Sequence, residues 1–96
     1  MLIKAGVDIS KLRPQIRKKL NGIEKIYKEI DEELVITSTY EGNHCAGSIH
    51  YEHLAVDIRR PQEGKPNIHH KLTNHLGADY DIVFEIDHIH IEYDPL

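Results

Sequence analysis

A chain of 96 residues has room for one domain (1–96) with a single modest core, and 40% hydrophobic with 29% charged residues is the balance of a folded globular chain. A formal net charge of −4 argues against electrostatic binding of nucleic acid, and the lone Cys45 excludes an internal disulfide and a multi-thiolate zinc site. No apolar run approaches bilayer-spanning length and the opening "MLIKAGVDIS" lacks a signal peptide's apolar stretch, so the expected setting is cytoplasmic as synthesised, with no membrane contact.

In chain order, residues 11–31 place Leu12, Ile16, Leu20, Ile23, Tyr27 and Ile30 three or four apart, one apolar stripe on a helix. Ser10 is the expected N-cap, with Pro14 in or just beyond the tolerant first turn and Gly22 a point where the helix could bend. Its Lys and Arg residues alternate with Glu24, Glu29, Glu32 and Glu33, which reads as a solvated face. Residues 34–40 are β-branched and aromatic, a strand; 41–48 carry glycines, Asn and Ser, a loop; 54–58 form a short strand. Residues 59–67 hold two prolines and a glycine and must connect, and 68–77 give a short helix ended by Gly77. Residues 80–86 and 88–93 are two further strands. The order α-β-β-α-β-β predicts an α+β domain: a small, mainly antiparallel sheet with helices packed on one face.

All eight histidines lie after residue 43, which is where candidate chemistry concentrates. In strand 54–58, Leu54, Val56 and Ile58 share a core face, while His53, Ala55 and Asp57 share the other. In the last strand Ile89 and Ile91 oppose His88, His90 and Glu92. Were the two strands neighbours, Asp57 and the histidines would line one polar face, with His50 leaning over it from the preceding turn. Two imidazoles and a carboxylate fill three corners of a zinc tetrahedron and leave the fourth for water, a catalytic arrangement. An amphipathic strand with alternating His and Ile is the plain alternative. His69, His70 and His75 read as surface residues of the short helix, Tyr51 and Tyr93 as cleft or core edge, and the adjacent His44 and Cys45 as an unsuitable nucleophile pair.

"SIHYEHLAVDI" at 48–58, followed by "DHIH" at 87–90, resembles the zinc peptidase superfamily of D-alanyl-D-alanine carboxypeptidases and dipeptidases. That superfamily also contains phage L-alanyl-D-glutamate endolysins and the hedgehog signalling domain. The resemblance covers residues 36–60 and 84–93 and implies Zn2+ on the sheet face opposite the helices. It places His50, Asp57 and His90 on the three zinc ligands, Asp87 on the general base, and Ser48 on a serine supporting the ligand loop. His44 and His88 would stabilise the oxyanion or orient a ligand. The implied activity is zinc-dependent hydrolysis, through a zinc-bound water, of short peptide bonds in bacterial peptidoglycan. The partner would be a stem peptide or D-amino-acid dipeptide, and a phage-encoded, released or virion-associated enzyme would fit. Two departures stand out: His53 occupies a position that is usually Gly, and Glu41 follows Tyr40 where an Arg usually holds substrate. Arg59 or Arg60 is left for that role. These departures favour the alternative, a non-catalytic zinc-containing binding module of hedgehog type.

Overall fold

The computed structural model of the protein describes residues 1–39, 54–62 and 67–95. Its elements are β1 (Leu2–Ile3), α1 (Pro14–Glu29), β2 (Val35–Ser38), β3 (Ala55–Arg59), α2 (Ile68–Leu76), β4 (Tyr80–Phe84) and β5 (His88–Tyr93). The strands form one sheet in the order β1-β2-β3-β5-β4, antiparallel at every pairing except β1 with β2. Among the described residues no helix is long and apolar enough to cross a membrane.

Helix α1 begins at Pro14 rather than near Ser10. Proline lacks an N–H and has its φ preset, so the first helical position suits it, and Arg13 takes the N-cap place. Ser10 is drawn into a separate turn, its backbone N–H donating to Asp8 Oδ1 at 2.8 Å. Ile16, Leu20, Ile23, Ile26 and Tyr27 form the buried stripe. The helix ends where Asp31 adopts a left-handed conformation, φ 59°. There the N–H groups of Asp31 and Glu32 donate to the carbonyls of Lys28 and Tyr27, at 3.1 and 2.9 Å, which closes a Schellman motif. Glycine is favoured at that position, so Asp31→Gly is expected to raise unfolding stability by about 0.5–1 kcal/mol in a denaturant titration.

One sheet face meets both helices. Ile36, Val56, Ile58, Ile89 and Ile91 join the α1 stripe and Ile68, Leu72 and Leu76 of α2 in a single buried cluster. Two tyrosines fasten α1 to the sheet through hydroxyls that a dry core would otherwise leave unsatisfied. Tyr27 donates to the Arg59 carbonyl and Tyr80 to the Gln15 carbonyl, each at 2.6 Å. Burial pushes the Tyr27 phenol far above its ordinary pKa, so it stays a donor.

Helix α1 runs unbroken through Gly22. This glycine admits the ring of His75, because a Cβ there would lie 2.1 Å from His75 Cε1. In that position His75 Nε2–H donates to the Lys19 carbonyl at 3.1 Å, while Lys19 Nζ donates to the His75 carbonyl at 3.2 Å. His75 is therefore a clamp between α1 and α2 rather than a plain surface residue. Ala at 22 gains about 1 kcal/mol of helix propensity but expels the ring and its hydrogen bond, a loss of similar size. Gly22→Ala is thus expected to be near neutral in the native background and stabilising by about 1 kcal/mol in a His75→Ala background. A double-mutant cycle that returned simple additivity would show that the two residues do not meet.

Candidate metal site on the sheet face away from the helices

The pleat that sends Val56, Ile58, Ile89 and Ile91 into the core sends their neighbours to the opposite face. Register then selects which of those neighbours meet: Asp57 lies opposite His90, Arg59 opposite His88 and Ala55 opposite Glu92. On the other side of β5, Asp81 faces Glu92 and Val83 faces His90. Between β2 and β3 the register slips from Ile36–Ile58 to Ser38–Asp57. The extra β2 residue is a bulge beside Asp57, of the kind that increases local twist and re-aims side chains.

Asp57 is 8% exposed, one of two buried polar residues among those described. Its Oδ1 lies 2.8 Å from His90 Nδ1, and its Oδ2 lies 3.7 Å from His88 Nε2. The other nitrogen of His90, Nε2, lies 3.0 Å from Glu92 Oε1. With a carboxylate at each nitrogen the imidazolium is favoured, and the hydrogen bond to Asp57 chiefly holds the His90 pKa above its ordinary value, against the opposing effect of burial.

Asp87 occupies the bend before β5, where strand alternation does not govern its direction. Its side chain is 81% exposed, and its Oδ1 receives the Nδ1–H of His88 at 2.6 Å. That hydrogen bond holds the Asp87 carboxyl below its usual range. Asp87 is thus linked to Asp57 through the His88 ring. Arg59 is exposed, on the Asp57 side of β3. Arg60 is engaged elsewhere: its Nη1 donates to the Glu85 carbonyl at 2.9 Å and its guanidinium lies over the Phe84 ring. His44, Ser48, His50, Tyr51 and His53, with Tyr40, Glu41 and Cys45, lie outside the described residues.

Whether Asp57 and His90 suit a metal can be judged from their separation. Two donors about 2.1 Å from a tetrahedral zinc ion stand roughly 3.4 Å apart, so this pair would open by about 0.6 Å. That is within rotamer adjustment, and both donors are of types zinc accepts. His88 and His90 do not join Asp57 as a ready three-donor group, since among the described residues only Asp81, Glu92 and Asp94 bring three such atoms within 4.8 Å of one another. This acidic triad could hold a metal ion, although exposed carboxylates often gather without one. The Asp94 carboxyl is raised by its hydrogen bond to Asp81, with burial and the charge of Asp81 adding to the effect, as when two acids share one proton.

Sequence alternation had put Glu92 on the His90 face but assigned it no part. Its contact with His90 Nε2 needs only that shared parity, two residues apart on one strand. Asp94 follows Glu92 at the same two-residue spacing, whereas Asp81 carried no comparable signal, because its meeting with Glu92 depends on β4 lying beside β5. Compared with protein-family models, curated proteins and solved structures, the chain matches none.

Proposed function

We propose that the protein is a zinc-dependent peptidase acting on short peptide bonds of bacterial cell-wall peptidoglycan, of the D-Ala-D-Ala or L-Ala-D-Glu type. The observation that supports this most is the cross-strand pairing of Asp57 with His90, oxygen to Nδ1 at 2.8 Å, on the face turned from the helices. The likeness of residues 36–60 and 84–93 to that superfamily supplies the substrate class. His50, Asp57 and His90 would hold Zn2+, which when bound polarises a carbonyl and lowers the pKa of water.

The remaining steps fall to the chain's own groups. Asp87 stays ionised at neutral pH and fixes His88 with Nδ1–H toward itself, leaving Nε2 directed at Asp57. His88 Nε2 is then placed to take a proton from the attacking water and return it to the leaving amine. Asp87 acts through that ring, as an acid that orients a histidine. His44 is the candidate for the oxyanion, and Arg59 for the substrate carboxylate. A phage-encoded, released or virion-associated enzyme is the setting that fits.

The exposure of Asp87 favours one rival, a zinc-containing binding module of hedgehog type without catalysis. The two separate on activity. Wild type should cleave peptidoglycan or D-Ala-D-Ala, and Asp87→Ala and His88→Ala should each lose at least about 100-fold in kcat, the usual worth of acid–base catalysis. Stoichiometric zinc with no cleavage of either substrate would decide for the binding module.

A further inference from the structure

Glu92 has no part in the ligand set or the proton path above, yet its Oε1 lies within hydrogen-bonding distance of His90 Nε2, the ring nitrogen turned away from Asp57. His90 offers its two nitrogens in opposite directions along the ring: Nδ1 toward Asp57 at 2.8 Å, Nε2 toward Glu92 at 3.0 Å. A neutral imidazole keeps one proton; with the Asp57 carboxylate turned to a metal ion, Glu92 is the acceptor that remains, so the proton stays on Nε2 and Nδ1 becomes free to ligate. Glu92 is half-buried on the same face of β5 as His90, two residues on, so the strand itself fixes their spacing.

We propose that Glu92 is the positioning residue of the metal site: it accepts Nε2–H of His90 and so commits Nδ1, on the Asp57 side, to the zinc ion. The proposal rests on the reading of Asp57 and His90 as ligands. Glu92 also belongs to the acidic triad, so a rival explanation of any effect is that the ion sits among Asp81, Glu92 and Asp94 instead. Asp81 distinguishes the two, because it faces Glu92 across the β4–β5 pairing while no contact joins it to His90 among those described.

The test measures Zn2+ affinity of the full chain by competition with a chromogenic chelator, together with the Co2+ absorption spectrum and nitrogen-15 NMR of the His90 ring. Glu92→Ala should weaken zinc 10–100-fold, the usual cost of removing such a partner. Glu92→Gln, whose amide oxygen can still accept Nε2–H, should recover most of that loss. In the zinc-loaded wild type the ring should carry its proton on Nε2, and Glu92→Ala should broaden or shift that signature and alter the Co2+ spectrum. Asp81→Asn should leave affinity within about threefold.

Unchanged affinity in a folded Glu92→Ala protein overturns the inference while leaving the ligand assignment standing. Loss of the metal on Asp81→Asn with retention on His90→Ala overturns both and moves the ion to the acidic triad. Absence of zinc binding by wild type also overturns both. If Glu92→Ala does not fold, Glu92→Gln decides by itself: an Nδ1-protonated His90 in its zinc-loaded state would contradict the proposal.

Discussion

Saturating zinc is expected to raise the midpoint of thermal unfolding of this protein by about 15 °C or more over the chelator-treated form. A ligand held by the folded state alone stabilises by about 4 kcal/mol at a thousand times its Kd. In a domain of this size each kcal/mol is worth about 4–8 °C. The increment should vanish in Asp57→Ala and in His90→Ala, since each removes a donor from the site.

The pH dependence carries a sign that distinguishes the two forms. In the metal-free protein the His90 pKa is raised above its unfolded value, chiefly by Asp57. Its contribution is therefore fully present below about pH 6.5 and is lost as pH rises through the folded pKa. Zinc must displace the Nδ1 proton, so the stabilisation it confers grows as pH rises through that same range. Between about pH 6 and 8, the His90-dependent part of stability should fall with pH under chelator and rise with pH under zinc. It is read as the difference between wild type and His90→Gln. A slope of one sign in both conditions would mean that zinc does not meet His90.

Ile89→Ala is expected to cost about 3–4 kcal/mol of stability. Ile89 is fully buried, lies on β5 between β3 and β4, and pairs with Ile58 on one side and Phe84 on the other. Both helices close over that face, so little can collapse into the space left behind. Its neighbour His88 points to the other face, where truncation removes polar contacts rather than core volume. His88→Ala should cost no more than about 1 kcal/mol in the same urea titration. Comparable losses at the two positions would contradict the division of β5 into a core face and a site face.

That division was legible from alternation alone. Val56, Ile58, Ile89 and Ile91 enter the core and Asp57, His88 and His90 leave it, as strands of period two require. The α1 stripe was equally clear, because six apolar residues at helical spacing have no strand reading. The pairing of β3 with β5, which brings Asp57 to His90, had to be supposed, since strand order depends on which edges the connections leave open. β1 is not legible in the sequence: two residues show no periodicity, and Leu2 and Ile3 become a strand only by pairing with Val35 and Ile36. Gly22 shows its use only in the fold, for a related reason. Viewed within its own helix it is a weakness, and only α2 supplies the His75 ring that makes the missing side chain useful. Asp87 likewise has its contact set by its neighbour His88, not by its spacing from His90.

The most direct test of a metal at Asp57 and His90 is zinc content per chain after exhaustive dialysis, in wild type and in His90→Ala. One zinc per wild-type chain and none in a folded His90→Ala protein is the expected result. No zinc in wild type, or equal zinc in both proteins, would contradict the site.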